Sequence, residues 1–325
     1  MKQRSLGQTN IKISPIVFGA NVFGWTVDEQ TGFELLDRLE ELGLNTIDTA
    51  DSYSSWANNS EGGESESLIG KWLKQSPGRR EKTVIITKVG SELSPDKKGL
   101  SADYIPRAVE ASLRRLQTDY IDVYLSHWPD PDTPYAETLG AYEKLLEQGK
   151  VRAIGASNLN HAQLKEALEV ADQEGLPRYQ VLQPHYNLYS RDTYDSALRE
   201  LCMRENLGVI TYYSLASGFL TGKYRDEADF HKSKRGQGMA KYLNPRGRRI
   251  LKALDAVAAD HDVQLAEVAL AWLMHTEGVS APIASATSLK QVDTLARAAQ
   301  LSLTARDMER LDKASAPERN DGVNE

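Results

Sequence analysis

Four side chains with complementary chemistry follow strand-like runs in the first half of the chain. Asp48 ends the run NTID, Tyr53 follows five residues later, Lys88 ends VIITK and His127 ends IDVYLSH. Neighbouring parallel strands lie about 4.8 Å apart, so three such strand ends would form one cluster. The five residues after Asp48 span at most roughly 17 Å, enough for the Tyr53 phenol to fold back over it.

Such a cluster would suit proton donation to a carbonyl oxygen. An ammonium about 4 Å away stabilises a phenolate relative to the neutral phenol by about 4 kcal/mol at an effective dielectric near 20. This energy corresponds to lowering the pKa of the phenol by roughly three units. We therefore expect Lys88 to lower the pKa of Tyr53 toward neutrality. An ion pair between Asp48 and Lys88 would make this lowering smaller. No side chain delivers a hydride, so the chemistry implies a cofactor. Taken singly, each residue has an ordinary alternative as a turn residue, a solvated charge or a hydrogen-bonded histidine.

The elements that must position these residues alternate along the chain. Short β-rich runs are separated by amphipathic helical patterns, and the eight runs lie at residues 16–19, 45–48, 84–88, 121–127, 153–158, 181–187, 209–213 and 281–285. Eight strands, each followed by a helix and without a break in composition, fit a closed (β/α)8 TIM barrel better than two doubly wound domains. We predict a single domain over residues 1–325 with its chemistry at the carboxyl ends of the strands.

Three segments depart from the simple alternation. RSLGQTNIKIS predicts an N-terminal β-hairpin, which would plug the bottom of the barrel. Residues 217–262, after the seventh strand, are too many for an ordinary connection and indicate a long functional loop. Residues 316–325 are expected to form a disordered tail.

Composition narrows the function classes. The chain carries 39 Lys and Arg against 46 Asp and Glu, a net charge of −7, which argues against nucleic acid or a membrane as the partner. The six histidines show no metal-ligand spacing, and Asp48 has no facing acid for hydrolysis. The single cysteine, Cys202, is expected to be a buried apolar residue. We expect a cytoplasmic monomer or weak homo-oligomer, without a metal, that acts on a small molecule.

Further motifs occur in order along the chain: FGANVFG at 18–24, GGESESLIGKWL at 62–73, GASN at 155–158, QPHYN at 183–187 and GFLTGKY at 218–224. With DTADSY at 48–53, Lys88 and SHWPD at 126–130, they resemble the aldo-keto reductase superfamily over nearly the whole length. The resemblance implies that Tyr53 is the general acid, that Lys88 lowers its pKa and that Asp48 orients Lys88. His127 would orient and polarise the carbonyl oxygen.

The resemblance also implies NADP(H) as the cofactor. Ser157, Asn158 and Gln183 would hold the nicotinamide carboxamide, although the first two could simply cap a helix and Gln183 could be a buried polar residue. Tyr212 would stack on the nicotinamide, a role that Tyr213 could contest. The segment 217–241 resembles the loop over the pyrophosphate, and with the end of the seventh strand it offers Leu215, Gly218, Lys223 and Arg235. For Arg235 a solvated surface position is an equal alternative.

The segment after the eighth strand departs from the family pattern. Many relatives carry a Lys or Arg and an Asn for the adenosine 2′-phosphate and adenine, whereas this chain offers Ser285, Thr287 and Gln291, with Ser288 and Lys290 between them. NADPH remains the favoured form because hydroxyls at a helix N-terminus also bind phosphate.

Three tryptophans, Trp25, Trp56 and Trp128, fall in loops after the first, second and fourth strands and are expected to form the substrate pocket. Aromatic walls suit a sugar-like or aromatic carbonyl, although each tryptophan could also serve packing alone. A different class of function is a non-catalytic, cofactor-binding regulatory subunit of the same fold, as in channel-associated members of the superfamily. The complete set of Asp48, Tyr53, Lys88 and His127 argues against it.

Overall fold

The computed structural model of the chain describes residues 1–57, 60–194, 196–233 and 235–317. Within this part of the chain, parallel strands form a closed eight-stranded barrel in which consecutive strands are neighbours and the last, β10, pairs with both β9 and β3. The predicted (β/α)8 fold is therefore confirmed. The barrel strands are β3 (Val17–Gly19), β4 (Thr46–Asp48), β5 (Val84–Val89), β6 (Ile121–Ser126), β7 (Val151–Ser157), β8 (Val181–Gln183), β9 (Gly208–Thr211) and β10 (Ala281–Ala284).

Helices surround the barrel, and most are amphipathic, as the sequence periodicity predicts, whereas α9 is buried along almost its whole length. The α-helices are α1 (Glu29–Glu41), α2 (Glu64–Lys74), α3 (Arg79–Lys82), α4 (Tyr104–Leu116), α5 (Tyr135–Glu147), α6 (His161–Glu174), α7 (Ala197–Arg204), α8 (Pro245–His261), α9 (Leu265–His275), α10 (Leu289–Ala298) and α11 (Ala305–Ser315). Three short 3-10 segments follow β9, at Ala216–Thr221, Glu227–Lys232 and Gly236–Tyr242.

Strand alternation divides the core into two parts. Ile86 and Val123 belong to a cluster inside the barrel, whereas Tyr124 belongs to the larger cluster between barrel and helices. Successive side chains of a strand point to opposite faces, so Lys88 lies on the same inner face of β5 as Ile86. The sequence of β5 therefore directs the lysine into the carboxyl end of the barrel.

The predicted hairpin is present and closes the amino-terminal end of the barrel. It consists of β1 (Arg4–Ser5) paired antiparallel with β2 (Lys12–Ile13). Leu6 packs with the inner barrel cluster and lies against the start of β9. The Arg4 guanidinium donates to the carbonyl oxygen of Ser280, just before β10, at 2.7 Å and to that of Met274, in α9, at 2.6 Å. Because the hairpin fills the amino-terminal end of the barrel, a site for a ligand is expected at the carboxyl ends of the strands.

The long segment after β9 is shorter than predicted. The loop ends at Asn244, whose side chain caps α8 by accepting from the Gly247 N–H, so most of residues 245–262 are helix. The predicted tail falls almost entirely outside the described residues. Across the described part of the chain, no helix has the length and apolar character to span a membrane. Cys202 is a free, buried thiol, as predicted, and burial raises its pKa to about 12.

Candidate active site

The carboxyl ends of the strands bring most of the predicted site residues to one end of the barrel. Asp48 is the last residue of β4, and Lys88 lies one residue before the end of β5. His127 directly follows β6, and Tyr53 lies in the turn after β4. The parallel register pairs Asp48 with Ile86 and Lys88 with Leu125, which keeps these residues at one level. The expected clustering is therefore observed.

Lys88 is the centre of a buried hydrogen-bond cluster. Its ammonium group is fully buried and donates to Asp48 Oδ2 at 2.8 Å, to the Thr49 carbonyl oxygen at 2.7 Å and to the Tyr53 hydroxyl oxygen at 2.9 Å. These three bonds use all three ammonium protons. The Tyr53 hydroxyl donates to the same carboxylate oxygen, Asp48 Oδ2, at 3.0 Å. Asp48 therefore shares one oxygen between the lysine and the tyrosine.

The predicted lowering of the Tyr53 pKa is wrong for this site. Burial and the negative charge of Asp48 instead raise the pKa of Tyr53 well above its usual value. Asp48 already balances the charge of Lys88, so a phenolate would add an uncompensated negative charge to the buried cluster. Burial also lowers the pKa of Lys88, against the charge of Asp48. Tyr53 therefore stays protonated at neutral pH, which keeps its proton available for transfer.

His127 lies beside this cluster as a neutral imidazole. Burial, and then the charge of Lys88, hold its pKa well below the usual value. Its Nδ1 lies 3.0 Å from Ser91 Oγ and 3.5 Å from Ser52 Oγ, and its ring centroid is 6.2 Å from that of Tyr53. With Nδ1 accepting from a serine, the neutral ring would carry its proton on Nε2, where it can donate to an incoming oxygen.

The side chains expected to hold a carboxamide form a connected network. Gln183 donates to Asp48 Oδ1 at 2.7 Å, and Ser157 donates to the Gln183 carbonyl oxygen at 2.8 Å. Asn158 donates to the His127 carbonyl oxygen at 2.9 Å and accepts from the Tyr212 hydroxyl at 2.6 Å. Neither Ser157 nor Asn158 caps α6, because Asn160 does so in a capping box with Gln163.

The two tyrosines after β9 differ in their surroundings. Tyr212 is partly buried, bonds to Asn158 and has one ring face stacked on His185, with centroids 5.2 Å apart. Tyr213 has a positive φ of 53° and is 51% exposed. Tyr212 is therefore the tyrosine beside the carboxamide-type side chains, and its ring also contacts that of Tyr213, with centroids 5.2 Å apart.

Backbone geometry is unusual at the start of the loop after β9. Leu215 packs against the outer core, and the next three residues, Ala216, Ser217 and Gly218, all have positive φ. Runs of such residues are strained and occur mainly at functional sites. The Lys223 side chain lies against Gly218, about where a Cβ on that glycine would make contact. This places a cation beside a backbone turn in which Gly218 has a φ of 100°, a conformation that favours glycine.

The segment after β10 is held together by its own side chains. Ser285 donates to Asn21 Oδ1 at 2.7 Å, which joins it to the loop after β3. Gln291 Oε1 accepts from the Thr287 N–H at 2.7 Å and from its hydroxyl at 3.2 Å. Ser288 is the N-cap residue of α10, yet its side chain makes no capping bond to the helix.

The three predicted pocket tryptophans lie around the cluster. Trp56 packs edge-on to Tyr53 at 6.1 Å and to Trp25 at 6.0 Å, and Trp128 stacks on His127 at 5.6 Å. Trp56 and Trp128 are 52% and 48% exposed, unusual values for such large apolar side chains. We call these three residues the aromatic wall. The Arg235 guanidinium lies 5.2 Å above the Trp25 ring.

Several residues of the site were not predicted. Ser52 and Ser91 contact His127, and His185 stacks on Tyr212. Asp51, which reads as a turn residue in the sequence, is buried, and neither of its carboxylate oxygens has a hydrogen-bond partner among the residues that the structure describes. Serines after a strand and an acid in a turn are common surface features, so no sequence signal distinguishes them.

The fold and the site together define the class of protein. A (β/α)8 barrel with a buried lysine, aspartate and tyrosine at its carboxyl end, beside amide and hydroxyl side chains, is a barrel oxidoreductase. The model of the aldo/keto reductase family matches residues 15–316. The chain therefore belongs to the aldo/keto reductase family.

Relatives match over nearly the full chain. An uncharacterized oxidoreductase YrpG of Bacillus subtilis is 33% identical over 93% of this chain and 92% of its own length. The aldo-keto reductase YhdN of Bacillus subtilis is 31% identical over 94% of this chain and 91% of its own length. A probable voltage-gated potassium channel subunit beta of Arabidopsis thaliana is 32% identical over 90% of this chain and 89% of its own length.

Proposed function

We propose that this protein uses NADPH to reduce an aldehyde or ketone to an alcohol, with a hydride from the nicotinamide and the proton from Tyr53. The observation that carries the proposal is the cluster around Lys88, in which one buried ammonium binds both Asp48 and the Tyr53 hydroxyl. Because the phenol oxygen accepts from this ammonium, Lys88 is placed to stabilise the negative charge that develops there when the proton leaves.

The chain has residues that fit a nicotinamide dinucleotide. Ser157, Asn158 and Gln183 supply the donors and acceptors that a carboxamide needs, and Tyr212 supplies a ring face. Lys223, beside the positive-φ turn at Gly218, suits a pyrophosphate, because backbone N–H groups and a cation can then face the same anion. Leu215 would pack beneath this part of the cofactor.

The catalytic step depends on a change of hydrogen-bond partner at Tyr53. Asp48 is an acceptor only, so the resting phenol directs its proton to Asp48. A substrate oxygen that bonds to the phenol, and to Nε2 of neutral His127, would draw this proton away from Asp48. Lys88 would keep its bond to the phenol oxygen and stabilise the negative charge that remains there.

The reduction does not require a low pKa at Tyr53. An alkoxide is a far stronger base than a phenolate, so even a phenol with a raised pKa gives up its proton once the alkoxide forms. Loss of a single general acid typically costs a factor of about 10² to 10⁴ in rate. We infer that the role of Lys88 is to stabilise the product phenolate rather than to acidify the resting phenol.

We favour NADPH over NADH because of the start of α10. The Ser288 side chain at the N-cap, which makes no capping bond to α10, and Lys290 in the first turn would offer a hydroxyl and a cation to a 2′-phosphate. Ser285, Thr287 and Gln291 would hold the adenosine beside it. For the substrate, the aromatic wall suits an aromatic or sugar-like carbonyl.

The test is to mix the protein with NADPH and a panel of aromatic and sugar aldehydes and to follow the loss of reduced-nicotinamide absorbance. We expect decay with several of them, at a rate that falls when NADH replaces NADPH. Full activity with NADH would contradict the preference for NADPH but not the proposed carbonyl reduction.

A second candidate function is suggested by the 32% identity to a protein named as a probable voltage-gated potassium channel subunit beta. On this alternative the chain would bind the cofactor as a non-catalytic subunit. Tight NADPH binding without decay for any aldehyde would favour this function and exclude the reductase.

A further inference from the structure

We propose that the first turn of α2 positions the charged strand ends of the active site from outside the barrel, with Ser65 and Glu66 as positioning residues for Asp48 and Lys88. This inference rests on the proposed function and extends it to the helix layer. Both residues belong to the motif GGESESLIGKWL, to which the proposed reaction assigns no role. We call Ser65 and Glu66 the α2 bracket.

The first argument is the alternation of side chains along the strands. Successive side chains point to opposite faces, so Thr87 points outward to the helices while Lys88 points into the barrel. Thr49 directly follows Asp48, and its side chain likewise reaches α2. Both threonines are fully buried. Each charged residue therefore has a buried hydroxyl group beside it in the chain, on the helix side of the barrel.

The second argument is that the α2 bracket binds both of these hydroxyl groups. The Thr49 hydroxyl donates to Ser65 Oγ at 2.8 Å, and the Thr87 hydroxyl donates to Glu66 Oε1 at 2.6 Å. The Ser65 hydroxyl in turn donates to the carbonyl oxygen of Ala20, in the loop after β3, at 2.8 Å. One turn of helix therefore holds the chain beside two neighbouring strand ends and the loop after a third strand.

The third argument is that the α2 bracket is itself held in place. Arg115 of α4 pairs with Glu66 Oε2 at 2.7 Å, so the two oxygens of this buried carboxylate bind different elements. Hydrogen bonds to a charged group are shorter and stronger than those between neutral groups. α2 also packs closely on α4, because a Cβ on Gly70 would lie 2.1 Å from the Arg115 carbonyl oxygen. The first turn of α2 therefore has a defined position from which to hold the strands.

The geometry of the active site tolerates little movement of these strand ends. Asp48 Oδ2 accepts from Lys88 at 2.8 Å and from Tyr53 at 3.0 Å, while Lys88 also donates to the Tyr53 oxygen at 2.9 Å. A shift of about 1 Å at either strand end would break one of these bonds, which need lengths no greater than about 3.2 Å. The backbone bond beside them, from the Asp51 N–H to the Lys88 carbonyl oxygen, is already 3.3 Å long. The hydrogen bonds of the α2 bracket supply the additional restraint.

The test compares Thr87→Val with Thr83→Val, using an aldehyde that the wild type reduces. Thr83 is a buried threonine directly before the other end of β5, and its hydroxyl donates to the Arg79 carbonyl oxygen at 2.8 Å. Both variants lose one buried hydroxyl, so we expect similar decreases in the urea midpoint. We expect only Thr87→Val to lower kcat, by about tenfold, because a misplacement of about 1 Å can cost about 100-fold in rate. NADPH affinity should not change, and Thr87→Ser, which keeps the hydroxyl, should restore kcat.

The second hydroxyl provides an independent variant. We expect Thr49→Val to lower kcat in the same way and Thr49→Ser to keep it near that of the wild type. If both threonines act through the α2 bracket, the double valine variant should lose less than the product of the two single losses, because the two changes share one structural unit. Losses that multiply fully would contradict a shared bracket.

A further readout does not depend on turnover. All three protons of the Lys88 ammonium are hydrogen-bonded in a buried site, so its proton–nitrogen NMR signal should exchange slowly with water in the wild type and in Thr83→Val. Loss of this signal in Lys88→Met identifies it. We expect faster exchange in Thr87→Val. Equal exchange and equal kcat in Thr87→Val and Thr83→Val would overturn the inference. If the wild type reduces no aldehyde but the difference in exchange remains, the proposed reductase function fails while the α2 bracket is supported.

Discussion

At the scale of single residues, the direction of one hydrogen bond decides how Tyr53 can act. The phenol donates to Asp48 and accepts from Lys88, so the resting site holds the proton on the tyrosine. Burial and Asp48 keep the Tyr53 pKa high, and the neutral His127 adds no positive charge that would lower it. The site is therefore built for transfer to a strong base, which only the reacting substrate oxygen can provide.

Replacing Tyr53 with Phe removes this proton and leaves the ring. We expect kcat for aldehyde reduction to fall by about 10² to 10⁴, the usual loss for a general acid. NADPH affinity should stay near that of the wild type, because the resemblance and the geometry assign no coenzyme contact to the hydroxyl. Steady-state kinetics and fluorescence titration with NADPH measure the two quantities. A variant with near wild-type turnover would remove Tyr53 from the mechanism.

At the scale of elements, Glu66 of α2 links β5 to α4 beside the turn after β4. Glu66 of α2 accepts from Thr87 at 2.6 Å and pairs with Arg115 of α4 at 2.7 Å. Asp51 lies near the same group, and its carboxylate has no hydrogen-bond partner within the described part of the chain. Its burial, and the charge of Glu66, raise the Asp51 pKa to about 8, against the opposing effects of Arg115 and Lys88.

The raised pKa makes stability depend on pH in a definite direction. Between about pH 4 and pH 8 the folded chain keeps a proton on Asp51 that the unfolded chain has lost. The free energy of unfolding should therefore fall as pH rises through this window, by up to about 1.4 kcal/mol per pH unit from this residue, and level off above pH 8. Asp51→Asn has no such proton, so its free energy of unfolding should not depend on pH through this residue. Urea unfolding at pH 5.5 and 7.5 should therefore show that the stability of the variant relative to the wild type is higher at pH 7.5 than at pH 5.5. A constant difference would mean that Asp51 does not titrate in this range.

The contact between α2 and α4 depends on a glycine. A Cβ on Gly70 would lie 2.1 Å from the Arg115 carbonyl oxygen, whereas a Cβ on Gly140 in α5 would meet nothing within 4 Å. We expect Gly70→Ala to lower the free energy of unfolding by about 1 to 3 kcal/mol through overpacking. Gly140→Ala should instead raise it by up to about 1 kcal/mol, because alanine favours helix. Equal effects in urea denaturation would show that helix propensity, not helix approach, decides both.

At the scale of the whole molecule, the two ends of the barrel differ in role. The hairpin and Leu6 fill the amino-terminal end, and the loops after the strands open the other. The proposed coenzyme residues come from β7, β8, the loop after β9 and the start of α10, so a bound coenzyme would contact about half of the barrel. Its binding should therefore stabilise the whole fold.

This coupling can be measured without turnover. At an NADPH concentration of 100 times Kd, we expect the free energy of unfolding to rise by about 2.7 kcal/mol. Lys223→Gln should need a higher NADPH concentration for the same rise, because it lacks the cation beside Gly218. Thermal unfolding over an NADPH series gives both values. No shift at any concentration would contradict cofactor binding by this barrel.

The sequence by itself determined the fold and the inner part of the site. Regular alternation of strand and helix leaves few topologies, and parallel strands place their ends at one level. Asp48, Lys88 and His127 could therefore be grouped before any coordinates, and the segment RSLGQTNIKIS could be assigned to a hairpin.

Only the tertiary structure decided the electrostatics and the loops. The pKa of Tyr53 depends on how deeply the cluster is buried and on which oxygen of Asp48 receives both hydrogen bonds. Burial of Asp51 depends on two helices distant in sequence, and the position of Arg235 over Trp25 joins loops more than 200 residues apart. The local sequence predicts helices, strands and turns from periodicity and residue type. The burial of a side chain and the balance of charges around it depend on contacts between segments that are distant in sequence.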